Sequence, residues 1–141
     1  MSEQAQGMRQ DPDLVLPPQT FAFVLDSTKG KVSAYVGPYK NSLSNTDQLV
    51  VWDEALKRVT PVSRVDAAIQ TFVTAEEGQY IVLTNPAAGD GSVHPPKGNS
   101  TESIELDFGR REVVSGPATF PLWPGQSAQV GNGPGLNHEF G

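Results

Sequence analysis

Two runs of alternating apolar side chains constrain the fold of this chain more than any other feature. Alternation with a period of two puts the apolar side chains on one face of a β-strand. The apolar positions of the two runs are Phe21, Phe23, Leu25, Val32, Ala34 and Val36. The polar segment 27–30 between the runs ends in Gly30, and glycine adopts the positive φ of a tight turn without strain. The sequence therefore predicts a β-hairpin with a four-residue loop at 27–30.

Glycine and proline divide the rest of the chain into short segments. The 141 residues include 14 glycines and 12 prolines, and both residue types interrupt helices. Segment 53–58 fits either one helical turn or a hairpin tip, and in the second case 58–62 returns as an edge strand that tolerates Pro61. Further strands are predicted over 49–52, 68–74, 79–84 and 104–108, with a second hairpin turn at 75–78.

These segments together predict an all-β fold without a long helix. The expected architecture is a small antiparallel β-sandwich or barrel-like module of seven to nine short strands, with extended N- and C-terminal arms. Prolines stand at several predicted strand boundaries, and they blunt sheet edges against uncontrolled pairing because proline cannot donate to a ladder. Trp123 lies between Leu122 and Pro124, where the backbone has little freedom, so we expect it to form a fixed corner.

The two ends of the chain are polar and show no periodicity. We expect an N-terminal arm over 1–13, a β domain over 14–130 and a glycine-rich C-terminal arm over 131–141. The arms hold too few apolar groups to offset an ordering cost of roughly 1–2 kcal/mol per residue. We therefore expect them to become ordered against neighbouring subunits, as strands added to an exposed sheet edge. The expected assembly contacts are Leu14, Val15, Leu16, Leu136 and Phe140.

The charge and the residue usage exclude several classes of protein. There are 10 lysines and arginines against 16 aspartates and glutamates, which gives a net charge of −6. Such a surface is poorly suited to nucleic acid or an anionic membrane, because both need clustered cations. Neither an apolar run of about 18 residues nor the apolar core of a secretory signal is present. The absence of cysteine excludes a disulfide scaffold, a cysteine-ligated metal site and a thiol nucleophile.

The histidines and acidic residues do not form a recognisable catalytic pattern. His94 and His138 both lie in glycine- and proline-rich segments, which are poor supports for a Ser–His–Asp site. Glu76 and Glu77 are adjacent, and neighbouring strand residues point to opposite faces, so they fit a solvated tip better than an acid–base pair. Segments 11–13 and 90–92 lack the spaced oxygen ligands of a calcium loop and are typical of turns.

Adjacent arginines at 110–111 leave two interpretations open, a clamp for a phosphate or carboxylate and a solvated turn. No phosphate-binding loop or dinucleotide fingerprint is present. We therefore expect no catalytic, metal-binding or cofactor-binding residue and no cofactor, and we expect that the protein is not an enzyme.

Several short motifs, taken in order, resemble a repeat unit of the major vault protein family. They are Pro17-Pro18, Val24-Leu25-Asp26, Val36-Gly37-Pro38, the strand 79–82, Asn85-Pro86 and the turn 120–125. The resemblance covers roughly residues 14–130 and implies a small antiparallel β module that packs in the wall of a hollow particle. The sequence departs from the pattern of that family, because it holds about one such unit with a partial flank instead of a tandem array, and it lacks the shoulder domain and the long cap helix that help the family close its particle. The chain also resembles stand-alone structural virion proteins of tailed phages.

The resemblances and the polar arms lead to one main expectation about function. We expect a non-enzymatic structural subunit of a large symmetric assembly, specifically a phage virion component of the capsid, collar or tail. Its partners would be copies of itself and other subunits of the particle, with no nucleic acid and no membrane. The expected location is a virion or other large particle, otherwise the cytoplasm. The alternative is a ligand-binding module in which the loop 85–103, with Trp52 or Trp123, contacts a glycan or peptide.

Overall fold

The computed structural model describes residues 13–89 and 93–133, and nearly all of its regular structure is β. The strands are β1 Asp13–Leu16, β2 Thr20–Asp26, β3 Lys31–Val36, β4 Tyr39–Ser42, β5 Asp47–Asp53, β6 Arg58–Pro61, β7 Gln70–Thr71, β8 Val73–Ala75, β9 Gln79–Thr84, β10 Ser100–Glu102, β11 Arg111–Ser115, β12 Ala118–Phe120 and β13 Ser127–Asn132, and the helical turn α1 is Val65–Ala68. All strand pairs are antiparallel, so the predicted all-β antiparallel class is confirmed.

The described strands form two sheets and two ribbons. The larger sheet has the order β10-β3-β2-β5-β6, and β7 pairs with one end of β2. The smaller sheet has the order β11-β9-β13, and the ribbons are β1-β4 and β8-β12. Asp13 belongs to β1, and Gly131 and Asn132 belong to β13, so the β domain extends slightly into the ranges expected for the arms.

The predicted hairpin at 27–30 is present and joins β2 to β3. Asp26 pairs with Lys31 at its end, and Gly30 has a φ of +71°. The Asp26 carboxylate accepts hydrogen bonds from the Thr28 amide at 3.0 Å and the Thr28 hydroxyl at 2.6 Å. The loop is therefore closed by its own side chains, as short aspartate-containing turns commonly are.

The fold consists of two copies of one strand arrangement. In the first unit, residues 13–53, β2 pairs with β3 and β5 while β1 pairs with β4. In the second unit, residues 73–132, β9 pairs with β11 and β13 while β8 pairs with β12. Gly37–Pro38 in the first unit and Gly116–Pro117 in the second are both cis and both follow the equivalent strand. The described part of the β domain thus holds two units of the same strand arrangement.

The strand registers give a residue-by-residue correspondence between the units. Phe21, opposite Val36, corresponds to Tyr80, opposite Ser115. The segment between the hairpin strands differs in length, because six residues separate Leu25 from Val32 whereas 26 residues, 85–110, occupy the equivalent stretch. The second unit therefore carries an insertion in this hairpin, and the insertion returns to the first unit through β10.

Three apolar clusters form the core of the described part of the chain. Inner core 1 lies under the first sheet and comprises Leu14, Leu16, Ala22, Val24, Leu43, Leu49 and Ala68. Inner core 2 is its equivalent in the second unit and comprises Ala75, Ile81, Leu83 and Phe120. The junction core lies on the other face of the first sheet and comprises Phe21, Phe23, Ala34, Val36, Val50, Phe72, Leu106 and Trp123. Strand β2 is consequently buried on both faces, since each face has its own covering layer.

Several local predictions differ from the structure. Residues 104–108 do not form the predicted strand, and their only β contact among the described residues is an isolated bridge between Ala87 and Leu106. The turn at 75–78 joins β8 to β9, which belong to different sheets, so it is a corner between layers and not a hairpin. The predicted strand 68–74 is divided among α1, β7 and β8. Segment 53–58 is a hairpin tip, and Pro61 lies on the edge strand β6, as one of the two interpretations predicts.

Candidate assembly interface

The three predicted assembly contacts that the structure describes, Leu14, Val15 and Leu16, do not share one surface. Leu14 and Leu16 are buried in inner core 1, because alternate residues of β1 face inward beneath the sheet. Val15, between them, is 50% exposed. Leu136 and Phe140 lie outside the described residues. Val15 is thus the only one of the described three whose side chain a neighbouring subunit could reach.

The loop 85–103 begins with a buried polar residue that fixes its base. Asn85 has a φ of +63° and donates from Nδ2 to the Gly125 carbonyl at 2.8 Å. Its Oδ1 accepts from the Gly109 amide at 2.9 Å, and its own carbonyl accepts from Nε2 of Gln126 at 3.2 Å. These bonds join both ends of the insertion to the turn before β13.

The described part of the loop beyond residue 92 is attached to both units. Nε1 of Trp123 donates to the Val93 carbonyl at 3.0 Å. Farther along, the Gly98 amide donates to the Val36 carbonyl and the Val36 amide donates to the Asn99 carbonyl, both at 2.9 Å. The loop therefore connects the two units through its backbone, and its described residues do not project as a free binding loop.

Trp123, predicted to form a fixed corner, is 1% exposed and belongs to the junction core. Its amide donates to Oε1 of Gln126 at 2.8 Å. The equivalent bond in the first unit runs from the Ser44 amide to Oδ2 of Asp47 at 2.9 Å. The same turn therefore carries a serine in one unit and, in the other, a tryptophan that fills the junction.

His94 is half-buried and stacks on Phe120, with ring centroids 4.0 Å apart and planes 15° from parallel. Burial lowers the pKa of His94 below its ordinary value of 6.5, and the negative charge of Glu112 opposes that shift. This contact attaches the loop to inner core 2, to which Phe120 belongs. His138 lies outside the described residues.

Several charged side chains in the described residues pair within turns. Arg110 pairs with Asp107 at 2.9 Å and Arg64 pairs with Asp66 at 2.5 Å. The hydrogen bond from Arg64 lowers the pKa of Asp66. Arg110 is thereby tied within its turn while Arg111 lies in β11, so the two do not form a clamp. Among residues 13–89 and 93–133, no three His, Cys, Asp or Glu side chains lie close enough to hold a metal ion.

The outer surface of the second sheet is where the two units differ most, and we call it the open face. In the first unit the equivalent surface is buried beneath the junction core, with the Phe72 ring 6.3 Å from that of Phe21. None of the open-face residues is buried. They are Tyr80, Val82, Thr84, Arg111, Val113, Ser115 and Gln129, equivalent to Phe21, Phe23, Leu25, Val32, Ala34, Val36 and Val50.

A groove runs along one margin of the open face beneath the β5–β6 tip. Glu54 and Lys57 of the tip lie across from Val82, Thr84 and Arg111. A neighbouring groove of about 640 Å³ lies between Trp52 and Phe108, and the Phe108 side chain is 64% exposed. The sequence predicts a strand position for Phe108 and so does not reveal this exposed apolar surface.

Both edges of the second sheet also differ from those of the first. In the first unit β10 covers the outer edge of β3, and β6 covers the outer edge of β5. The equivalent strands of the second unit, β11 and β13, are the edge strands of their sheet in the described part of the chain. The second unit therefore presents one open face and two open edges where the first unit is closed.

Comparison with protein-family models and with curated proteins finds no match to this chain. No helix in the described ranges is long and apolar enough to cross a membrane.

Proposed function

We propose that this protein is a non-enzymatic structural subunit of a large symmetric assembly, built from copies of itself and from other subunits. The observation that carries the proposal is the open face of the second unit. The same surface in the first unit is covered by Phe72, Leu106 and Trp123. A neighbouring subunit would cover the open face of the second sheet in the way that the second unit covers the outer surface of the first sheet.

Repeat modules support this interpretation on physical grounds. Each module buries its own inner core but depends on a neighbour to cover its outer surface. In this chain the outer surface of the first sheet is complete only because the second unit packs on it. An array that continues beyond the chain would use the same surface of the second sheet for a contact between subunits.

The composition of the open face suits a contact between subunits that fold separately. Thr84, Ser115 and Gln129 stand where the first unit has Leu25, Val36 and Val50, so the surface tolerates water before assembly. Val82 and Val113 keep an apolar centre, and Arg111 adds a charge at the margin. An apolar centre with a polar rim is the usual anatomy of interfaces between subunits.

Within this proposal the assembly is a phage particle, with the protein in its capsid, collar or tail. The support is the resemblance of the sequence to stand-alone structural virion proteins and to a particle-wall repeat. The described charged residues also support a structural role, because pairs such as Arg110–Asp107 are used within turns.

The test is the mass of the protein in solution, measured by size-exclusion chromatography with light scattering over a wide concentration range. We expect oligomers that grow with concentration, and we expect Val82→Arg to shift the distribution towards the monomer. The matched variant is Val93→Arg, which places the same charge on a valine that is 46% exposed and does not belong to the open face. A chain that is monomeric at every concentration, alone and with particle lysate, would contradict the proposal.

A ligand-binding module is the second candidate, and the groove between Trp52 and Phe108 favours it over the loop 85–103. Two aromatic side chains with Lys57 and Arg111 nearby suit an acidic peptide or an acidic glycan. Trp52 fluorescence should then change on titration with such ligands, and Phe108→Ala should abolish the change. Absence of any response in the wild type would exclude this candidate.

A further inference from the structure

We infer that the edge of β11 pairs antiparallel with the β11 edge of a second copy, so that two three-stranded sheets become one six-stranded sheet. The inference rests on the proposed function, since it names one contact by which copies associate. It uses the backbone groups of the sheet edge, whereas packing on the open face uses side chains, including that of Val113.

The backbone groups that would form the contact follow from the existing ladder. The Gly116 amide donates to the Gln79 carbonyl at 2.8 Å. Hydrogen bonds alternate along an antiparallel strand, so Val114 and Glu112 bond towards β9. The backbone groups of Arg111, Val113 and Ser115 therefore point away from β9, along the open edge.

The first unit shows what this edge can accept. Its equivalent strand, β3, takes β10 as an antiparallel partner. The Val36 amide donates to the Asn99 carbonyl at 2.9 Å, and the Val32 carbonyl accepts from the Ser103 amide at 2.8 Å. Val36 and Val32 correspond to Ser115 and Arg111. The same backbone geometry thus already binds an antiparallel strand elsewhere in this chain.

A second copy fits this edge in one favourable register, centred on Val113. Each Val113 then faces its symmetry mate, and each Arg111 faces the partner's Ser115, while Glu112 faces Val114. A shift that places Val113 opposite Arg111 would bring the two Glu112 side chains together, and like charges directly opposite are destabilising. A shift in the other direction places Val113 opposite Ser115, and then only residues 113–115 of each β11 strand face the partner strand. Val113, which is 37% exposed in the single chain, is then covered in part by Val113 of the second copy. Both copies use the same edge, so the contact is isologous.

Proline substitution tests the edge without breaking the ladder inside the subunit. Val113→Pro removes an outward amide and leaves the bonds between β9 and β11 in place. The matched control is Val130→Pro on β13, since its equivalent in the first unit, Val51, bonds away from β2 towards β6. Val130 is 44% exposed, close to the value for Val113. Melting curves of both variants would establish that each remains folded.

The expected result in sedimentation equilibrium is a dimer dissociation constant raised about 10- to 100-fold by Val113→Pro, because two backbone hydrogen bonds are lost per dimer. Val130→Pro should leave the constant unchanged. If larger oligomers form but Val113→Pro does not weaken them, the edge inference is wrong while the proposed function survives. A wild type that stays monomeric contradicts both.

Cross-linking provides a second readout that does not depend on the proline variants. The chain has no cysteine, so Val113→Cys introduces a single thiol. Facing residues in a hydrogen-bonded antiparallel pair have Cα atoms about 5.5 Å apart, within the range of a disulfide. Mild oxidation should give a covalent dimer from Val113→Cys and little from Val130→Cys. Equal yields, or more dimer from Val130→Cys, would overturn the inference.

Discussion

Gly37 and Gly116 occupy the same position in the two units, and at each a backbone carbonyl lies where a side chain would begin. A Cβ on Gly37 would be 2.0 Å from the Pro17 oxygen, and one on Gly116 would be 2.2 Å from the Glu76 oxygen. Their amides donate to the Thr20 and Gln79 carbonyls at 2.8 Å. Because glycine has no side chain, the chain that leaves β3 can pass close to the turn between β1 and β2, and the chain that leaves β11 can pass close to the turn between β8 and β9.

Alanine at either glycine should lower the free energy of unfolding by about 1–3 kcal/mol, because the backbone must move to relieve the overlap between the new Cβ and the carbonyl oxygen. Urea unfolding of Gly37→Ala and Gly116→Ala is the measurement. Gly30→Asn is the control, since a Cβ there meets nothing within 4 Å and asparagine tolerates a positive φ. That variant should lie within about 0.5 kcal/mol of the wild type. Equal effects at Gly30 and Gly37 would show that the close approach is not the cause.

Valine truncation should distinguish the covered face of the first sheet from the open face of the second. Val36 is fully buried in the junction core, whereas Val113 is 37% exposed. Val36→Ala should lower the free energy of unfolding by about 2 kcal/mol, since it removes buried methyl groups and leaves a cavity. Val113→Ala should change it by less than about 0.5 kcal/mol. A comparable loss at Val113 in dilute monomer would mean that the open face is covered within the chain.

The stability of the domain should fall as the pH drops below the ordinary histidine pKa of 6.5. Burial lowers the pKa of His94, so the unfolded chain takes up a proton at a higher pH than the folded chain does. The stability gained by keeping His94 neutral in the folded state is fully present above pH 6.5. It is lost as the pH falls from 6.5 through the lowered pKa of the folded chain. Urea midpoints between pH 5 and 8 measure it.

The control for this pH dependence is His94→Phe, which keeps a ring against Phe120 but cannot titrate. The free energy of unfolding of the wild type should fall relative to that of the variant as the pH drops from 8 to 5, because only the wild type has a side chain at position 94 that takes up a proton. A wild-type curve parallel to that of the variant over the whole range would show that His94 does not contribute.

Local features of the fold could be predicted from the sequence because they depend on neighbouring residues. The hairpin β2–β3 follows from period-two alternation around a short loop that ends in Gly30. The edge position of Pro61 follows from its missing amide hydrogen. The corner at 75–78 has the same turn residues as a hairpin, and only the distant partner of β8 distinguishes the two.

The two-unit architecture required the tertiary structure. Equivalent positions carry chemically different side chains, such as Phe21 and Tyr80, and the longer second hairpin shifts the spacing. The repeated Gly–Pro pairs at 37–38 and 116–117 were the signal in the sequence, but a dipeptide does not define a strand order. Pairings such as β1–β4 join residues far apart in the chain, and local propensity does not encode them.

For the candidate interface too, some properties follow from the sequence and others only from the tertiary structure. The net charge of −6 and the absence of cysteine were determined by the sequence alone. Whether Leu14, Val15 or Val113 is available to a partner was decided by packing, since one layer buries Leu14 and no described layer covers Val113. Alternation shows which side chains of a strand share a face, but burial depends on whether another part of the chain lies above that face.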